Sequence, residues 1–148
     1  MDPHNMTGTP RHSVSVAAAI FDHGGKNVLL IKRRDNGKWE PPGGVLELDE
    51  TIEDGLRREV REETGAEIEV GPLTGVYKNM ARGIVALVFR CTITSPPVDS
   101  TAEAREVKWT ALDLVPTLAD PAYATRVLDA GEDGTSPTIR AHDGRDLL

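Results

Sequence analysis

The chain predicts a single α/β domain, on two observations. Four runs of strand length and apolar, β-branched composition, at residues 13–21, 27–32, 67–77 and 83–94, surround one strongly amphipathic helical stretch between Thr51 and Gly65. At 148 residues the chain has the length of one domain, enough to bury about two thirds of its unfolded surface. A second catalytic domain does not fit.

Taken in order, residues 1–12 are polar, carry Pro3, Gly8 and Pro10, and read as a flexible leader. Residues 13–21, rich in Val, Ala and Ile, read as the first strand, and Asp22-His23-Gly24-Gly25 as a turn. Residues 27–32 then return as a hairpin partner and deliver Lys32, Arg33 and Arg34 to one loop. Trp39, Pro41-Pro42 and Gly43-Gly44 make a stiff, non-helical approach to the amphipathic helix. Two more strands follow, the second carrying Ile84-Val85-Ala86-Leu87-Val88-Phe89, a run suited to the middle of a sheet. Residues 95–102 form a polar loop with Pro96-Pro97, and 106–110 a short strand. Residues 112–115 begin a helical turn that Pro116 ends, and 120–130 form a helix that Gly131 ends. The remainder, 131–148, with Gly breaks and many charges, reads as a disordered tail.

Composition narrows the function classes. A net charge of −7 argues against a nucleic-acid duplex or an anionic membrane as the main partner, since both attract basic surfaces. No apolar run reaches the length of a membrane span, and no secretory leader is recognisable, so a cytoplasmic protein is expected. The single Cys91 excludes an internal disulfide framework and a multi-cysteine zinc site, and suits a buried strand position better than a nucleophile. The four histidines, at 4, 12, 23 and 142, have no metal-ligand spacing.

The chemistry concentrates on the helix. At about 100° per residue, Glu62 lies roughly 60° to one side of Glu59 and Glu63 roughly 40° to the other, so three carboxylates share one narrow arc. Like charges at these spacings repel, and hard divalent cations suit oxygen ligands of this kind. Mg²⁺ is the expected ion, with Mn²⁺ as the alternative. Ile52, Leu56 and Val60 form the apolar stripe bordering the acids, which places them at the margin of a cleft. Gly55 falls inside the acidic arc and leaves room for a close neighbour. Thr51 with Asp54 fits an N-cap, and Gly65 a C-terminal stop.

Read from Gly44 to Gly65, the spacing is G-x5-E-x7-R-E-V-x-E-E-x-G. Every fixed position of the Nudix hydrolase signature is present, and the chain strongly resembles that family. Ala66 stands where the family usually has a larger aliphatic residue. The resemblance covers roughly residues 13–130 and is most specific between Trp39 and Ala66. It implies an α/β/α sandwich with a mixed central sheet, the signature forming a loop-helix-loop. It also implies hydrolysis of a nucleoside diphosphate linked to another moiety, by water attacking phosphorus with cations bridging the phosphates.

Carried over residue by residue, the resemblance makes Glu59, Glu62 and Glu63 metal-binding acids, with Glu59 also able to orient or deprotonate the water. The carbonyl of Gly43 becomes a further ligand. Arg58 either holds a catalytic Glu in place or makes an ordinary helix salt bridge, and Glu50 serves either structure or catalysis. A further acid is expected from the loop ahead of Val107-Lys108-Trp109, with Glu103 preferred over Glu106 as ligand or base. For substrate binding, Arg33 and Arg34, beside Lys32, either meet phosphates or end a solvated strand, and Trp39 either stacks on the substrate or packs in the core. Positions that mark some ADP-sugar or dinucleoside polyphosphate hydrolases hold Ala81 and Arg82 here, so neither label attaches. A homodimer is common in the family. The competing reading is a catalytically silent nucleotide-binding regulator on the same scaffold, which would have no need of all three acids.

Overall fold

The computed structural model describes residues 8–134 and 136–148. Residues 1–7 of the expected leader lie outside them. Eight strands, β1 Ser13–Phe21, β2 Asn27–Arg33, β3 Trp39–Glu40, β4 Gly43–Val45, β5 Glu67–Asn79, β6 Ile84–Ser95, β7 Ala104–Ala111 and β8 Thr138–His142, form one sheet. Three helices accompany it: α1 Ile52–Thr64, α2 Val115–Leu118 and α3 Pro121–Ala130.

The sheet runs β3-β2-β1-β6-β5-β8, with β4 pairing β1 and β7 pairing β2. It is mixed, because β1 and β6 are parallel, as are β5 and β8, whereas β5 and β6 are antiparallel. The two-residue period of β1 feeds two cores. Val16, Ala18 and Ile20 face α1, where they meet Leu56, Val60, Ala66 and Cys91. Ala17, Ala19 and Phe21 face the other way, onto Val115, Ala124 and Val127. The result is a helix layer on each face of the sheet.

Helix α1 starts and stops where its caps dictate. The Thr51 hydroxyl accepts from the Asp54 amide at 3.1 Å. Gly65 turns left-handed at φ 74°, and its N–H donates to the Arg61 carbonyl. The docked stripe is narrower than expected. Leu56 and Val60 are fully buried, each worth roughly 2 kcal/mol of apolar transfer, but Ile52, in the first turn, stays 41 % exposed. The start of the helix is anchored by Leu46 and Glu50, which crowd over Gly55 where a side chain would have to stand.

Two other expectations are corrected. Pro116 does not end a turn; it sits in the first turn of α2, where its missing N–H costs nothing. The disordered tail expected over 131–148 is corrected for residues 136–148, since β8 pairs in parallel with β5 from Gly75↔Thr138 to Asn79↔His142. Arg140 clasps Asp129 of α3 with two hydrogen bonds of 2.8 Å, and His142 is fully buried.

Candidate active site

The loop before α1 packs so tightly on β1 that glycine is required at Gly43, and Gly44 brings the backbone up to the helix. A side chain on Gly43 would run into the Val16 carbonyl and the Ala17 backbone of the paired strand β1, and one on Gly44 would meet the Glu59 carboxylate at 2.6 Å. The acid therefore lies directly against the chain at Gly44. The Gly43 amide donates to Glu63 Oε1 at 2.7 Å.

Carboxylate oxygens of Glu59, Glu62 and Glu103 lie within 4.8 Å of one another. Glu63 stands beside this trio, committed to the Gly43 amide. Burial raises the Glu63 carboxyl to about 9, against the pull of the Gly43 amide and with the fields of Glu59, Glu40 and Glu103 adding to the rise. Burial also raises Glu59; Arg58 pulls it down, and Glu62 and Glu103 push it up. The site thus collects more negative charge than it balances.

Arg58 makes more than a helix salt bridge. Its Nε and Nη2 grip both oxygens of Glu50 at 2.9 and 2.7 Å, while its Nη1 reaches Glu59 at 3.0 Å and Glu62 at 3.2 Å. Glu50 also accepts from the Glu47 amide at 2.9 Å, and the guanidinium grip holds its carboxyl at about 2. Glu50 therefore fixes the arginine, and the arginine orients two of the three clustered acids.

Glu103 is brought to the helix by a residue that the sequence did not single out. Thr101 donates its hydroxyl to the Glu63 carbonyl at 3.0 Å and accepts from the amides of Glu103 and Ala104. Arg34 ties down the same loop, through its Nε to the Thr101 carbonyl at 2.9 Å, and it does not line the cleft. Glu106 faces Lys32 across the strand pair at 3.9 Å, away from the cluster of acids.

A cleft of about 710 Å³ opens beside Gly43 and Gly44 and runs toward α3. Arg33 and Trp39 line it. Arg33 is held by Asp35 at 2.6 Å and Glu40 at 3.1 Å, and Trp39 also packs against the α3-side core. Arg126 and Tyr123 of α3 form the far wall. The signal for Arg126 in the sequence is faint: a lone cation in the stretch Tyr123-Ala124-Thr125-Arg126-Val127 reads as a solvated helical position. No helix among the described residues is long and apolar enough to cross a membrane.

The comparisons agree with this architecture. The NUDIX domain model matches residues 11–129. A MutT-like protein of Streptomyces ambofaciens is 51 % identical over 146 residues, 99 % of this chain and 94 % of the relative. An ADP-ribose pyrophosphatase of Methanocaldococcus jannaschii is 34 % identical over 99 residues, 62 % of this chain and 59 % of the relative. A solved NUDIX hydrolase from Nitrosomonas europaea shares the fold, with a TM-score of 0.76 at 24 % identity over 90 % of this chain and 81 % of that one. The chain is a member of the Nudix hydrolase family, an enzyme family that acts on small nucleotide derivatives.

Proposed function

We propose that this enzyme is a divalent-metal-dependent pyrophosphohydrolase that cleaves the diphosphate of a nucleoside diphosphate linked to another moiety. The observation that carries the reading is the convergence of Glu59, Glu62 and Glu103, with Glu63 beside them, next to the backbone at Gly43-Gly44. An all-oxygen donor set this crowded fits a hard dication. Mg²⁺ is the first choice and Mn²⁺ the second.

Glu59, Glu62, Glu63 and Glu103, with the Gly43 carbonyl, would hold the ion. Once bound, the ion supplies charge to a diphosphate that the acids alone would repel, and lowers the pKa of an attacking water. The chain's own contribution is placement. Arg58 is a positioning residue, since it keeps Glu59 and Glu62 aimed through its hold on Glu50. Glu103 takes the role of a further ligand or of the base that receives the water's proton. Arg33 and Trp39 face the remainder of the substrate in the cleft, and Arg34 acts indirectly by holding the Glu103 loop. A small nucleotide substrate is consistent with a cytoplasmic setting.

A screen over nucleotide sugars, nucleoside triphosphates, oxidised nucleotides and dinucleoside polyphosphates, with Mg²⁺, Mn²⁺ or chelator and chromatographic detection of the nucleotide products, tests the reading. Turnover of at least one class with metal and none with chelator is expected. Nucleotide binding without turnover across the whole screen would favour the regulator instead.

A further inference from the structure

Arg126 is 92 % buried, being 8 % exposed, and makes no ion pair or hydrogen bond to an acceptor among the described residues. Its Nε has no hydrogen-bond partner among the described residues. Its nearest polar neighbour, His142 Nε2, is 3.4 Å from Nη2. The other ring nitrogen, Nδ1, accepts from the Gly144 amide at 2.9 Å, which leaves the imidazole proton on Nε2. Donor therefore faces donor. Glu40, the acid whose field reaches Arg126, is bound instead to Arg33 at 3.1 Å.

A guanidinium cannot shed its charge, so burying one without an acceptor costs the fold unless something else completes it. The rings of Tyr123 and Tyr77 lie 4.7 and 5.4 Å from its central carbon and serve its face. Its N–H donors lie in its plane and are left for a partner in that plane. Asn79, on the same cleft, uses its side-chain oxygen on the amides of Ala81 and Arg82, which leaves its NH₂ as another donor. The carboxylates that line the cleft are engaged elsewhere, Glu40 with Arg33, Asp120 with Lys38 and Asp143 with the amides of Arg145 and Asp146, so none is bound to Arg126.

We propose that Arg126 is a specificity-determining residue that takes a pair of adjacent acceptor atoms from the ligand, either the O6/N7 edge of a keto purine or two oxygens of a phosphate. The proposal rests on the reading of this cleft as the seat of the substrate. It disfavours adenine, whose amino group would present a donor to the fork. None of the three probes below depends on hydrolysis, so the outcome is independent of whether the enzyme turns over.

The test is calorimetric titration of the metal-free protein, in chelator, with guanosine, adenosine and inorganic pyrophosphate. Guanosine binding at least about tenfold tighter than adenosine assigns the base edge, and pyrophosphate binding assigns the phosphate. In either case Arg126→Met and Arg126→Lys should abolish the effect, since neither retains the fork. The unliganded melting temperature of Arg126→Met should be unchanged or higher, because a buried cation without an acceptor is lost. Wild-type protein that binds no pyrophosphate and fails to prefer guanosine overturns the assignment without recourse to the variants. So does an Arg126→Met protein that melts lower yet keeps the wild-type preference, which would mark a purely structural arginine.

Discussion

Beside Gly43 and Gly44, Glu59, Glu62 and Glu103 cluster next to Glu63 with Arg58 reaching only the first two, whereas at the α3 end of the cleft a buried arginine stands with no acid bound to it among the described residues. Both ends are incomplete in charge, with opposite signs, and they differ in how the imbalance is held. The acids are locked by a chain of hydrogen bonds through Glu50, Arg58, Gly43 and Thr101. The arginine is held by aromatic faces and by the strand that seats His142 beside it. A network that fixes like charges together anticipates a counter-charge at a set position; a cation stacked on rings fixes a plane and leaves its partner to come from the ligand.

The largest expected effect is at the acidic end. Glu62→Gln removes one carboxylate from the trio while keeping its shape, and should lower turnover by at least ~100-fold, about 2.7 kcal/mol, with circular dichroism unchanged. Near-normal turnover would break the comparison by showing that this end needs no counter-ion.

The cationic end depends on the last strand. Removing residues 136–148 deletes β8, the Arg140–Asp129 clasp and buried His142, and should lower the melting temperature by more than about 8 °C, the equivalent of a few kcal/mol for a domain of this size. A smaller drop would show that β8 is an ornament on a sheet that is complete without it.

Why the sequence hid β8 is clear from its surroundings. Thr138-Ile139-Arg140-Ala141-His142 lies at the sheet edge, so its middle residues stay exposed and it has no apolar alternation to read. Backbone pairing with β5 and one ion pair hold it, and both depend on partners far away in the chain. Arg126 was hidden for a related reason: a charge on an amphipathic helix is assigned to solvent unless the tertiary structure says otherwise. Helix α1 was legible because its determinants are local. Its caps, its glycines and its acid spacing all lie within 22 residues, from Gly44 to Gly65. Even there, Ile52 has the spacing of a docked residue and stays exposed, since the reach of the sheet beneath the first turn is not a local property.

Smaller effects sharpen the acidic end. Arg58→Lys keeps a charge but loses the two-pronged hold on Glu50, and about a tenfold loss in kcat with little change in KM is expected from misaimed acids. Glu103→Gln should lower kcat more than it raises KM, and Glu106→Gln, which only loosens an exposed contact with Lys32, should do less. A larger loss for the Glu106 variant would move the loop acid to that position.

The central claim, that the α1 acids form a cation site, is tested most directly by titrating Mn²⁺ into the metal-free protein at pH 7 in buffers of different ionisation enthalpy. Because Glu63 is raised from 4.5 to about 9, it holds a proton at pH 7, and its contribution to folding is fully present below about pH 4.5 and lost as pH rises through about 9. Binding should therefore release protons, should flatten the loss of stability between pH 7 and pH 9, and should weaken by at least about tenfold in Glu62→Gln. Binding without proton release and equally tight in Glu62→Gln, or no binding at all, would contradict the account.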